Sequence, residues 1–160
     1  MLKQYKKPAS QDEINLYCLI GEAVCMVQLL EDALSTSITL KNGVKKPHAI
    51  PKEEANKIRE KHLTNTLGNA VKLTKKENIL PKSLQEALEN FVLERNWLIH
   101  KSIQNENETL SESNKNRIQS ICQKARALLQ SIETDLIQYS SSVGIDMSGI
   151  QEYLKKGGDK

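Results

Sequence analysis

Seven apolar residues, Ile118, Ile121, Ala125, Leu128, Ile132, Leu136 and Tyr139, recur three or four positions apart towards the C-terminal end of the chain. An α-helix turns about 100° per residue, so this spacing gathers all seven on one face, whereas a strand would divide them between two. A long helix with one apolar stripe has to lie against other elements to be stable in water. The same signal recurs upstream. Ser10-Gln11-Asp12-Glu13, Ser83-Leu84-Gln85-Glu86 and Thr109-Leu110-Ser111-Glu112 each have the form of a capping box, in which a hydroxyl and a carboxylate three residues apart satisfy free N–H groups at a helix start. Aromatic residues are only 4% of the chain, and Leu, Ile, Ala, Lys, Glu, Asn and Gln are abundant, which suits helices more than strands. The expectation is an all-α fold: an antiparallel bundle of four long helices plus a short C-terminal helix, in one domain over residues 1–160 with 1–9 and 157–160 as flexible ends.

The first helix is expected from Ser10 to about residue 37. Its apolar positions fill two stripes, Tyr17, Ile20, Val24, Val27 and Leu34 on one and Leu16, Leu19, Ala23, Met26 and Leu30 on the other. Such a helix is either central or covered by a second subunit. Lys41-Asn42-Gly43-Val44-Lys45-Lys46-Pro47 reads as a basic, turn-rich loop. A second helix follows Pro51 to about residue 75, with Ala55, Ile58, Leu63, Leu67, Ala70 and Leu73 inward and Gly68 as a bend or a close contact. The third opens at Ser83 behind Pro81, buries Leu84, Leu88, Phe91 and Leu98, and ends soon after Ile103; its Trp97 belongs to the core or an interface. The fourth runs from Thr109 to the Ser140-Ser141-Ser142 run, before an amphipathic helix over 146–156.

The net charge of +3 is unevenly spread: residues 41–82 hold eleven Lys/Arg against four Glu, a local excess that suits a polyanion as well as a solvated helix face. Cys18, Cys25 and Cys122 have no zinc-ligand spacing, and the first two, seven apart on one helix face, are expected as buried, reduced thiols. The N-terminus shows no signal-peptide pattern, and Asn15, Glu22 and Gln28 argue against a membrane span through the most apolar stretch, so a cytoplasmic protein is expected.

Residues 91–102, Phe-Val-Leu-Glu-Arg-Asn-Trp-Leu-Ile-His-Lys-Ser, set Arg95, Asn96 and His100 in an apolar helical run. Asn96 and His100 project about 40° apart, with Arg95 about 140° from His100. The positions three and four from Arg95 are Phe91, Val92, Leu98 and Ile99, so its guanidinium needs a partner from elsewhere. Glu22, set among Cys18, Leu19, Cys25 and Met26, is the first candidate and Glu31 the second. His100 falls in the last turn, where the carbonyl end of a helix favours a cation. His62 is a further site candidate, although a structural role suits it better, and His48 has less to recommend it.

Arg95-Asn96 with His100 four residues on resembles the R-x(4 to 6)-H motif of the HEPN superfamily of all-α proteins. The resemblance implies a metal-independent endoribonuclease of the toxin–antitoxin or anti-phage kind, without cofactor or metal. It further implies a homodimer with Arg95, Asn96 and His100 of both subunits facing one shared cleft, RNA as substrate, and an antitoxin or defence-system protein as a possible partner. His100 would move protons, Arg95 would hold phosphate oxygens, and Asn96 would orient either. Glu22, Glu31 and Lys101 are supporting candidates. A non-catalytic HEPN dimer, regulatory, antitoxin-like or RNA-binding, is the alternative, with the three residues in a structural role.

Overall fold

The computed structural model describes residues 7–45, 49–104 and 108–145. Among them every regular element is helical: α1 (Gln11–Ile38), continued by a π-helical segment (Thr39–Val44), then α2 (Lys52–Leu63), α3 (Leu67–Lys76), α4 (Lys82–Lys101) and α5 (Glu112–Ser142). The all-α expectation holds, but three long helices and two short ones stand in place of four long ones. The helix expected over 146–156 lies outside the described residues, as do His48 and the chain ends 1–6 and 157–160.

α1 starts as expected. Ser10 Oγ accepts from the Glu13 N–H, and the Glu13 carboxylate accepts from the Ser10 N–H at 2.7 Å. That backbone donor holds Glu13 below the ordinary carboxylate pKa. The other two capping boxes do not form. α4 begins at Lys82, one residue after Pro81, with no side-chain cap. α5 begins at Glu112, where Ser111 Oγ accepts from the Asn114 N–H at 3.1 Å. Asn114 fixes this start, because its amide also donates to the Ser102 and Thr109 carbonyls at 3.0 and 2.8 Å and so ties α5 to the end of α4.

The helix expected from Pro51 to about residue 75 is broken in two. Thr64, Asn65 and Thr66 interrupt it, and Thr66 Oγ1 accepts from the Asn69 N–H to cap α3. The break precedes Gly68, whose hydrogen faces Val92 at ordinary packing distance. Of the predicted inward stripe Leu67 and Ala70 are buried, whereas Leu63 is exposed and no α2 side chain is fully buried. The predicted basic loop is also corrected, since Lys41 lies within the π-helical segment. Its ammonium pairs with Asp135, donates to the Ile79 carbonyl at 3.2 Å and sits 5.5 Å from the Tyr139 ring centre. In the same segment Gly43 lies so close to Ile58 that a Cβ would fall 2.8 Å from its methyl carbon, so glycine lets α2 approach.

Helix directions follow from the cross-contacts. Glu22 meets Arg126, and farther along both helices the Tyr139 hydroxyl donates to the Leu40 carbonyl at 3.3 Å, so α1 and α5 run parallel. They are also the most extensively packed pair. α4 is antiparallel to α5, with Glu94 beside Arg117 and Leu84 beside Ser131. α3 is antiparallel to α4, with Gly68 beside Val92 and Thr74 Oγ1 donating to Gln85 at 2.7 Å. The first and last helices thus lie side by side in the same sense, which corrects the purely antiparallel bundle.

The core combines Leu16, Ala23, Val27, Leu30 and Leu34 of α1, Leu67 and Val71 of α3, Leu84, Leu88, Phe91 and Leu98 of α4, and Ile118, Ile121, Ala125, Leu128 and Ile132 of α5. The stretch Gln11–Val44 has the length and hydropathy of a membrane-crossing helix, yet here one face of it is the centre of this core. Neither expected α1 stripe is covered whole: Leu16, Ala23 and Leu30 of one and Val27 and Leu34 of the other are buried, while Leu19, Met26, Ile20 and Val24 are half-buried. Tyr17 and Leu29 are more than half exposed, and Cys18 and Cys25, expected as buried thiols, are both exposed, while Cys122 is buried. The other helices reach around only part of the girth of α1.

Candidate functional site

Leu84, Leu88, Phe91 and Leu98 dock α4 on the core, and that orientation decides where the three polar residues go. Arg95 stands four positions after Phe91, on the flank next to the core. Asn96 and His100 turn outward, and both are exposed. Leu93, three and seven positions before them, is 73% exposed on the same stripe. His100 and the exposed Lys101 occupy the last turn of α4, as expected.

Arg95 is largely withdrawn from solvent. One terminal nitrogen donates to Glu31 of α1 at 3.3 Å and the other reaches Asn96 Oδ1 at 3.5 Å, while Nε is buried without a hydrogen bond. Glu31, the second candidate, is therefore the partner. Glu22 is exposed and pairs with Arg126 at 2.5 Å. The parallel packing of α1 and α5 explains the exchange, because it sets Glu22 beside α5 and leaves Glu31 facing α4. Within one chain Arg95 and His100 diverge by about 140° around α4. Among the described residues His100 makes no hydrogen bond or ion pair.

α2 borders the same stretch of α1. Arg59 pairs with Asp32 at 2.5 Å, and Ser35 Oγ donates to the His62 carbonyl at 3.2 Å, one turn from Glu31. The basic segment is accordingly part structural and part free. Lys41 and Arg59 are tied to Asp135 and Asp32 and Lys75 to Glu89, whereas Lys52, Lys57, Lys61 and Lys72 are exposed with no carboxylate within 4.0 Å among the described residues. His62 is partly buried, and its Nδ1 is buried without a partner. Burial, helped by the Lys61 charge, holds its pKa below the ordinary value of 6.5. Trp97 belongs to the α4–α5 contact: the Arg117 guanidinium lies 3.9 Å from its ring centre and also pairs with Glu94.

An open groove of about 620 Å³ runs between α4 and α5 past Leu84, Ala87, Ala127, Leu128 and Ser131, and a neighbouring hollow of about 350 Å³ continues it to Phe91, Glu94 and Lys124. Arg95, Asn96 and His100 line neither. Among the described residues no three His, Cys, Asp or Glu side chains converge as a metal site. Sequence reasoning missed Leu93 as part of the stripe, although its spacing to Asn96 and His100 was the available signal. No protein-family model, no curated protein and no solved structure matches this chain.

Proposed function

We propose that the chain is a metal-independent endoribonuclease of HEPN type, a cytoplasmic toxin or defence effector in which Arg95, Asn96 and His100 of two copies act on one RNA strand. The observation that carries this reading is the open stripe of α4, where an imidazole without a partner and an exposed amide share a face with an exposed leucine. An open stripe of this kind becomes one wall of a cleft when a second copy faces it. The 2′-hydroxyl then attacks the adjacent phosphorus, forming a new P–O bond as the 5′-oxygen leaves. One His100 takes the hydroxyl proton and the other gives a proton to the leaving oxygen. Arg95 stabilises the phosphorane oxygens with Glu31 holding its fork in position, and Lys101 adds positive charge at the helix end. The free lysines of α2 and α3 give the RNA backbone a sequence-independent hold.

The second reading is a non-catalytic dimer that binds RNA or a partner protein. It is favoured by one observation: Arg95 already has a carboxylate in its own chain, as a bundle-closing residue would. Incubating RNA with the purified protein in EDTA separates the two. Cleavage by wild type that is lost in His100→Ala, with the dimer intact, supports the enzyme. Intact RNA with a wild-type dimer leaves the binding module.

A further inference from the structure

We infer that the outward face of α1 is a two-fold seam for a second copy of this chain, with Cys18 of one copy opposite the partner's Cys25. Ile14 is 43% exposed, Leu29 is 52% exposed, and both cysteines are exposed. Their spacing is four, seven, four, the same in either direction. At about 100° per residue all four fall within about 30° of a single direction, the one faced by the midpoint between Gly21 and Glu22. An antiparallel pair of helices about a two-fold axis at that midpoint matches positions equidistant from it. Ile14 then meets the partner's Leu29, and each Cys18 meets the partner's Cys25. Gly21 lies level with the axis, about 50° to one side of the stripe, and a Cβ there would have no heavy atom within 4 Å.

The charges on this face permit the match and disfavour a membrane. Glu22 lies about 50° to the flank and is already paired with Arg126, and Asp32 at the far end is paired with Arg59. Two copies therefore meet without unpaired like charges. α1 carries no Lys or Arg from Gln11 to Ile38, so the face has nothing to hold anionic lipid. An unrelated protein would not require the same residues at mirrored distances. The stripe is about 22 Å long, and one helix face of that length covers less than the roughly 800 Å² per partner of a standard interface. The dimer is accordingly weak and concentration-dependent. Glu31 stands nearly ten residues from the axis, which keeps the two Arg95–Glu31 pairs about 28 Å apart. The seam is thus additional to the α4 contact that the proposed cleft needs, and it does not rest on RNA cleavage.

Oxidised glutathione provides the test. Two facing thiols lose their protons and two electrons to it, form one inter-chain disulfide and release two reduced glutathiones. Wild type is expected to give a covalent dimer. Cys18→Ser alone and Cys25→Ser alone should each give at least tenfold less, and an equal mixture of the two should recover it. Gly21→Arg should leave melting unchanged and cut the covalent dimer at least tenfold. Covalent dimers of each single variant as abundant as wild type would overturn the antiparallel seam. So would a strictly monomeric wild type at high concentration, or flotation of the protein with phosphatidylcholine vesicles.

Discussion

Arg95 of α4 donates to the Glu31 carboxylate of α1 across 3.3 Å, with only 21% and 25% of the two side chains exposed. A guanidinium with no carboxylate on its own helix has taken one from the neighbouring helix, and the pair closes the bundle where α2 and α4 both meet α1. In a double-mutant cycle with Arg95→Gln and Glu31→Gln, denaturant unfolding should give a coupling of about 0.5–3 kcal/mol. Additive effects would show that the pair contributes nothing.

The Lys41–Asp135 pair is more deeply buried, with side-chain exposures of 11% and 14%. Lys41→Ala leaves Asp135 without its cation and should cost about 3–5 kcal/mol in denaturant unfolding. The double variant Lys41→Met/Asp135→Leu, which removes both charges, should recover much of that loss. A single variant as stable as wild type would contradict the packing of the π-helical segment on α5.

Gly43→Ala brings a methyl group against Ile58, at 2.8 Å from Cγ2 before relaxation. The expected cost is about 1–3 kcal/mol in thermal unfolding. Ile58→Leu, which moves the branch away from Cβ, should reduce the cost, and the same penalty in both backgrounds would show that the close approach is not the cause.

His62 gives the fold a pH dependence of definite sign. Its folded pKa lies below 6.5, because burial and then the Lys61 charge disfavour the imidazolium. The unfolded chain therefore binds more protons in the window below 6.5, and stability falls as pH drops through it. His62→Gln should flatten unfolding free energy against pH between 6.5 and the folded value. An unchanged slope would place the titrating group elsewhere.

Fold class and the core of the last helix were legible because α5 keeps one apolar spacing over its whole length, and Ile118 to Ile132 are buried as expected. The start of α1 was legible because Ser10 and Glu13 are the local partners a cap needs. Ser83 and Thr109 carry the same pattern, but Pro81 and Asn114 decide the starts of α4 and α5 through backbone geometry and a tertiary hydrogen bond. The break at Thr66 was written in Thr64-Asn65-Thr66 and hidden by apolar residues that continue in phase on both sides. The exposure of Cys18 and Cys25 and the choice of Glu31 over Glu22 depend on which helices surround α1, a property of the assembled bundle that spacing along α1 does not encode.

The ribonuclease proposal stands on His100 moving the proton of a 2′-hydroxyl. The direct measurement uses one RNA oligonucleotide in EDTA beside a copy with 2′-deoxyribose at the cleaved position. Wild type should cut only the first and leave a 2′,3′-cyclic phosphate, with His100→Ala slower by about 10²–10⁴-fold. Equal cutting of both oligonucleotides, or cutting that His100→Ala leaves unchanged, would contradict the proposal.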